Sequence, residues 1–403
     1  MRHSLSLYHN HSNLMSGFVI FNMKSILYQI QRRTAFDEGH TLFMRAEASL
    51  SNFELDSGQI VEPDIFLKEG GWSLYGAQDG RFMLVQLPLS EDITQVPFMT
   101  PHQNQHAQQL LTIPFEVAHT LVENIPAPQK IIFIHMMGRT GSTLLNKILS
   151  NVDGVCSFSE PATFRLVSKL CGGGVVDSVG CLNILRTALR LQFGAQNYQG
   201  DFHTLGIKLR HRAMDDLSIY HSAFPTAKYI FMYREAVGWM RSFYRLLMAF
   251  GVGRDLEIAD GALPADARPT QQLQIIWKQI SDKPTDYFST HPDYGYLEEL
   301  LAVVWSNLMN QYLRGVEQGI PLLAVNFKDF TQDRHATLQE IFSFVGLDAQ
   351  QIDRVMQVYE ADSQAGTEVG REGYKHPITD AQVKRFLAYL SLQQGCNMPD
   401  YTL

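Results

Sequence analysis

Residues 131–149 read Ile-Ile-Phe-Ile-His-Met-Met-Gly-Arg-Thr-Gly-Ser-Thr-Leu-Leu-Asn-Lys-Ile-Leu, and no other stretch limits the fold as strongly. An apolar run of strand length leads into a short polar turn containing Gly138 and Gly141. The turn leads into Leu144, Leu145, Ile148 and Leu149, spaced as one side of a helix. Such a strand–turn–helix aims consecutive backbone N–H groups and the positive end of a helix at one anion. The competing reading is a plain connection whose glycines serve only the turn. The loop departs from the G-x-x-x-x-G-K-[ST] pattern of nucleotide hydrolases: with Gly141 as the last glycine, Met136 holds the first glycine position and Ser142 the lysine position. Hydrolysis of ATP or GTP is therefore disfavoured, and the nearest cation is Arg139.

Downstream of Lys130 short apolar runs alternate with amphipathic ones. Strands are predicted at Ile131–His135, Val155–Phe158, Leu205–Leu209, Lys228–Tyr233 and Pro321–Phe327. Helices are predicted at Thr143–Leu149, Val237–Met248, Leu297–Gln318 and Ala336–Val345. The alternation implies an α/β fold, a doubly wound and mainly parallel sheet of P-loop type, with its ligand at the carboxyl ends of the strands. Residues 24–128 read differently. Two alternating stretches, Gly71–Gly76 and Arg81–Leu87, flank the hairpin turn Ala77-Gln-Asp-Gly, and a helical stretch follows at Phe115–Asn124. The expected organisation is a disordered leader at 1–23, a small α+β N-terminal region at 24–128 and a P-loop domain at 129–403. The stretch Gly251–Tyr294, rich in Asp, Pro and Gly, reads equally as a substrate-side lid or as decoration.

Composition excludes some classes. The net charge of −8 disfavours general nucleic-acid binding, and a charged fraction of 18% beside 45% hydrophobic residues is that of a soluble globular chain. Four scattered cysteines (Cys156, Cys171, Cys181, Cys396) make no C-x-x-C pair, so idle thiols are expected and no zinc pattern stands out. The apolar run at Gly17–Phe21 is too short to span a bilayer.

Three further segments carry chemistry. In Lys228-Tyr-Ile-Phe-Met-Tyr-Arg-Glu-Ala-Val-Gly-Trp-Met-Arg-Ser-Phe-Tyr a strand ends at Arg234, and Ser242 follows eight residues later on a helix. A bidentate guanidinium and a hydroxyl so placed can converge on one phosphate; an arginine salt-bridged at a strand end is the plainer reading. In Ser157-Phe-Ser-Glu-Pro, Glu160 follows a strand. It reads as a general base whose pKa is raised by partial burial, or as an acid stabilised at the helix start before Pro161. In Gly206-Ile-Lys-Leu-Arg-His-Arg, Lys208 ends the third strand; it reads equally as a site cation or as a lysine reaching solvent.

The loop Arg139-Thr-Gly-Ser-Thr-Leu-Leu and these segments, in this order over about residues 130–350, resemble the sulfotransferases that use 3′-phosphoadenylyl sulfate. The resemblance implies a sulfuryl transfer to an acceptor hydroxyl or amine, with Arg139, Thr140, Gly141, Ser142 and Thr143 around the 5′-phosphosulfate. Arg234 and Ser242 would take the 3′-phosphate, and Arg139 and Lys208 would stabilise the transferring group. Glu160 lies 21 residues after Arg139, a separation similar to that in tyrosylprotein sulfotransferases, where a glutamate takes the acceptor's proton. Cytosolic members use Lys-Thr-His; here Arg210 holds the histidine place and His211 follows it. In a strand that shift turns His211 to the other face, so it ranks below Glu160 and is expected to face solvent. Where the family has Arg-Asp-Pro or Arg-Asp-Gly this chain has Arg234-Glu-Ala, and where the family has Tyr-Glu-Asp-Leu it has Phe327-Lys-Asp-Phe. Gly366–Lys375 resembles faintly a loop that closes over the nucleotide, with Arg371 and Lys375 as weak ligand candidates. No metal is expected, nor a nucleic-acid partner, nor a membrane anchor, and the location implied is cytoplasmic. The alternatives are a kinase-like enzyme using ATP and magnesium, and a nucleotide-binding protein without turnover.

Overall fold

The computed structural model describes residues 23–34, 47–172, 177–197, 200–249, 297–365 and 377–392. Residues 1–22 of the leader, the 251–294 stretch and the 366–375 loop with Arg371 and Lys375 lie outside the described residues. The chain divides into two compact units, Met1–Gln129 with Pro161–Phe202, and Lys130–Glu160 with His203–Leu403.

The first unit is built on an antiparallel sheet of β1 (Ser25–Arg32), β2 (Glu54–Leu55), β3 (Gln59–Val61), β4 (Trp72–Gln78), β5 (Arg81–Gln86) and β6 (Gln109–Pro114). The strand order is β2-β1-β6-β5-β4, with β3 also on β1. The predicted hairpin is β4–β5. Its turn residues Asp79 and Gly80 have φ of 50° and 74°, the doubly left-handed turn that matches strand twist. The N-terminal part also holds helices α1 (Met99–His106) and α2 (Phe115–Val122) and a single helical turn at Ile65–Lys68. Two helices from further along the chain, Ala162–Gly172 and Ser178–Asn197, belong to this unit as well. The organisation expected from the sequence places them within 129–403. Buried Gln192 explains the difference: its Oε1 accepts from the Leu74 N–H of β4 at 3.1 Å, and Arg190 donates to the Val122 carbonyl at 2.9 Å. Among the cysteines, Cys156 is a buried free thiol, whereas Cys181 is disulfide-bonded and so departs from the expectation of idle thiols. Scattered spacing does not reveal which sulfurs the fold brings together.

The second unit holds the parallel sheet. Its strands are β7 (Lys130–Met136), β8 (Val155–Ser159), β9 (Thr204–Lys208), β10 (Lys228–Tyr233) and β11 (Leu322–Asn326), each within about two residues of its predicted span. They run in the order β11-β10-β7-β9-β8, every pairing parallel. The first strand of the unit is therefore central, with β9 on one side and β10 on the other. At its carboxyl end the chain's crossovers diverge, which opens a crevice there. Helices α3 (Ser142–Ser150), α4 (Leu217–Ala223), α5 (Ala236–Ala249), α6 (Leu297–Glu317), α7 (Phe327–Gln332), α8 (Arg334–Val345) and α9 (Asp380–Leu390) accompany the sheet. Ile132, Ile134 and Met136 of β7 pack with Leu145, Ile148 and Leu149 of α3 and with Leu338, Ile341 and Phe342 of α8. Each such fully buried side chain contributes about 1.5–3 kcal/mol, so the junction between β7 and α3 rests on a stiff base.

Candidate functional site

The backbone between β7 and α3 is curled by three left-handed residues in four positions: Gly138 (φ 76°), Arg139 (φ 57°) and Gly141 (φ 78°). Successive N–H groups in such a curl face inward and form an anion nest. The N–H groups of the first turn of α3 have no partner within the helix and add to it; the first intrahelical bond is Leu145 N–H to the Gly141 carbonyl, at 3.0 Å. Gly141 is held to glycine twice over, by its φ and because a Cβ there would stand 3.2 Å from the Phe330 ring. The indole N–H of Trp239 on α5 donates to the carbonyls of Met137 and Gly138 at 2.9 and 3.1 Å, which engages both of those oxygens. Ser142 Oγ lies 2.8 Å from Met136 Sδ, and the Thr140 hydroxyl is buried with no hydrogen-bond partner among the described residues. A bound anionic oxygen would satisfy that hydroxyl, and this orphaned donor is the direct sign that the cradle fits one.

Three cations gather at this edge of the sheet. Arg139 Nε donates to Ser242 Oγ at 3.2 Å and its Nη1 donates to Gln364 Oε1 at 3.1 Å. Burial and the neighbouring Arg234 charge both pull its pKa below the usual arginine value, with Asp362 opposing. Lys208, at the end of β9 and 1% exposed, donates from Nζ to Thr143 Oγ1 at 3.0 Å, Ser159 Oγ at 3.3 Å and Glu160 Oε1 at 2.6 Å. It thus reaches the first turn of α3 from the adjacent strand and supplies there the positive charge that the loop lacks at Ser142. The reading of Lys208 as a solvent lysine is excluded by its burial. Arg234 follows β10, its guanidinium 4.5 Å over the Phe327 ring and its backbone carbonyl held by the Trp305 indole at 3.1 Å. Among the described residues its Nε is buried without a hydrogen bond, and Glu235 is the carboxylate within ion-pair range, at 3.9 Å. Ser242, expected beside Arg234, is instead bonded to Arg139, which links the two motifs through one guanidinium.

Glu160 follows β8 with φ of 58°, a left-handed conformation that costs a non-glycine residue free energy and concentrates at functional sites. Its N–H donates to the Lys208 carbonyl at 2.8 Å, which holds the two residues together through backbone as well as side chain. The carboxylate also lies 3.6 Å from Arg210 Nε. A raised pKa was expected for it. Burial does push it up, but the Lys208 and Arg210 charges outweigh burial and hold the group below its ordinary value. It is ionised at neutral pH. His211 also departs from expectation. The strand ends at Lys208, so alternation of faces does not apply, and His211 opens a 3-10 turn (His211–Asp216) with its half-buried ring edge-on to Phe243 at 6.3 Å.

The sequence reading missed Phe327, Trp239, Trp305 and Gln364. Trp239 and Phe327 were legible in part, since each lies inside a quoted motif, but only tertiary contacts reveal that one pins the loop and the other underlies Arg234.

No protein-family model matches the chain, and no curated protein matches it. Solved structures do. The sulfotransferase domain from the curacin biosynthetic pathway is 14% identical, with 66% of this chain and 99% of that one covered at a TM-score of 0.36. A sulfotransferase from Alicyclobacillus acidocaldarius is 12% identical, with 66% and 92% covered and a TM-score of 0.36. A mouse sulfotransferase complexed with PAP is 10% identical, with 68% and 87% covered and a TM-score of 0.35. Likenesses of this size leave the chemistry to the side chains themselves. No helix among the described residues is long and apolar enough to cross a membrane.

Proposed function

We propose that the chain is a sulfotransferase that moves a sulfuryl group from 3′-phosphoadenylyl sulfate to an acceptor hydroxyl or amine. The observation that carries this reading is the crowding of Arg139, Lys208 and Arg234 around a left-handed loop. Arg139 feels the Arg234 charge and Lys208 feels the Arg139 charge, each in the unfavourable sense. Like charges held at such range are relieved by a polyanion bridging them, and a donor with two separated phosphate groups matches two arginines that follow different strands, Arg139 after β7 and Arg234 after β10.

In this reading the loop N–H groups, Thr140, Ser142 and Thr143 surround the 5′-phosphosulfate, and Arg234 with Ser242 holds the 3′-phosphate. The acceptor oxygen or nitrogen attacks sulfur in line as the bond between sulfur and the bridging phosphate oxygen breaks. Negative charge grows on the departing phosphate, beside Arg139 and Lys208; one such preorganised donor is worth about 10²–10³ in rate. Glu160 receives the acceptor's proton. Its tie to Lys208 couples the two events: as Lys208 turns toward the leaving phosphate, the carboxylate loses its counter-charge and becomes a stronger base. Positioning and charge stabilisation do most of such work.

The test is calorimetric titration with adenosine 3′,5′-bisphosphate, and in parallel with ATP plus magnesium, on wild type and Arg234→Ala. Micromolar binding of the bisphosphate, about −8 kcal/mol, that the substitution weakens strongly is the expected result. Binding of ATP with magnesium that ignores Arg234 would overturn the reading.

A further inference from the structure

In the first unit, three metal-ligating side chains face one another. His102 and His106 stand one helical turn apart on α1, their rings stacked with centroids 4.3 Å apart, and Glu91 reaches them from the preceding loop. Glu91 Oε2 is 3.1 Å from His102 Nε2, and Glu91 Oε1 is 3.8 Å from His106 Nδ1. The three donor atoms all lie within 4.8 Å of one another.

We infer that Glu91, His102 and His106 form a zinc-binding site with an open fourth position. Zinc takes nitrogen and carboxylate ligands at about 2.0–2.2 Å in a tetrahedron, so neighbouring donor atoms sit about 3.3 Å apart. The two Glu91–histidine separations, 3.1 and 3.8 Å to the two carboxylate oxygens, lie on either side of that value, and one donor atom from each residue falls within 4.8 Å of the others. Hydrogen bonding alone explains the cluster poorly. Glu91 Oε2 engages the buried His102 Nε2 at 3.1 Å, but His106 Nδ1, at 3.8 Å, lies beyond hydrogen-bond distance of the carboxylate and is left out of that contact. A cation at the centre would engage all three groups at once.

The frame around the cluster is rigid in the way a metal site requires. Gln103 on α1 donates to Ser73 Oγ at 2.8 Å and to the Leu74 carbonyl at 2.9 Å, and Asn104 accepts from the Tyr75 hydroxyl at 2.5 Å. Those bonds anchor one side of the helix to β4, and the histidines project from another. The Glu91 loop is tied by its own N–H to the Pro88 carbonyl at 2.9 Å and by Asp92, whose Oδ1 accepts from the Thr94 N–H and hydroxyl at 3.0 and 2.7 Å. Two imidazoles with one carboxylate and a free position suit zinc better than magnesium or calcium, which favour all-oxygen sets.

The experiment uses untagged full-length protein stripped with EDTA. Wild type, Glu91→Gln and the double variant His102→Gln/His106→Gln are equilibrated with zinc, gel-filtered and assayed for retained metal, and wild type is titrated with cobalt(II) under visible absorption. The expected result is one more equivalent of zinc in wild type than in the double variant, affinity lowered roughly tenfold or more in Glu91→Gln, and the intense cobalt bands of four- or five-coordinate geometry. His3, His9 and His11 offer stray imidazoles to every variant equally, so the difference between variants is the reading. Equal zinc in wild type and the double variant overturns the assignment. If the double variant fails to fold, the cobalt spectrum of wild type decides, and only the weak six-coordinate aquo bands would overturn it.

Discussion

Lys208 and Glu160, at the ends of neighbouring parallel strands, are joined twice: Nζ to Oε1 at 2.6 Å, and the Glu160 N–H to the Lys208 carbonyl at 2.8 Å. The lysine is 1% exposed and the glutamate side chain 15%, so neither charge is solvated well enough to stand alone. Removing one partner of a buried pair typically costs about 3–5 kcal/mol, because the other is left uncompensated. Lys208→Met and Glu160→Gln are each expected to lower the urea midpoint strongly, and the double variant to cost clearly less than their sum. Arg210 makes the lysine change the milder of the two. Additive losses in the double-mutant cycle would show that the pair is not coupled.

The pH dependence of stability follows from the same carboxylate. Burial alone would raise its pKa, but Lys208 and Arg210 bring it below the ordinary 4.5. A depressed carboxyl binds fewer protons folded than unfolded. Its contribution is therefore complete above about pH 4.5 and is lost as pH falls through the folded value. Glu298 has the opposite sign: burial raises its pKa and outweighs the pull of Arg385, so its contribution weakens as pH rises through the unfolded value. Urea midpoints measured from pH 3.5 to 7 should lose part of their acid fall in Glu160→Gln and steepen in Glu298→Gln. Parallel curves for all three proteins would refute the assignment.

The glycine turn gives a third expectation. Gly141 and Gly319 have nearly the same φ, 78° and 74°, but a Cβ would meet the Phe330 ring at 3.2 Å in the first and nothing within 4 Å in the second. Gly319→Ala therefore reports the conformational penalty alone, about 1 kcal/mol. Gly141→Ala adds a steric clash and should cost about 2–4 kcal/mol, with loss of bisphosphate affinity that Gly319→Ala does not share. Equal stabilities would mean that Phe330 gives way freely.

Most of the parallel sheet was legible because its strands are buried on both faces and so read as short apolar runs; Lys228–Tyr233 is predicted and found with the same bounds. The loop was legible for a local reason, glycines beside an apolar strand. What escaped depends on register. Ser159 pairs with Lys208 across β8 and β9, and only that pairing sets Glu160 beside the lysine and depresses its pKa. The Glu91 cluster escaped the sequence reading altogether: nothing local announces that the Glu91 loop folds over His102 and His106. The helices Ala162–Gly172 and Ser178–Asn197 are not among those predicted from the sequence, nor is the sheet they accompany.

Trp239 gives the last prediction, and it separates scaffold from chemistry. Its indole N–H is the only group of that side chain that bonds the loop, reaching the Met137 and Gly138 carbonyls at 2.9 and 3.1 Å, while its ring stacks on Phe243 at 4.8 Å. Trp239→Phe keeps an aromatic ring against Phe243 and deletes the donor, leaving two carbonyls without it and a small void. The cost in stability should be about 1–3 kcal/mol. A loop released from that clamp can turn its carbonyls toward the anion, so bisphosphate affinity should fall about tenfold, or about 1.4 kcal/mol, although Trp239 is not proposed to touch the ligand. The measurement is calorimetry on folded Trp239→Phe at a temperature well below its melting point. Undiminished affinity there would show that the three left-handed residues hold the nest without the indole.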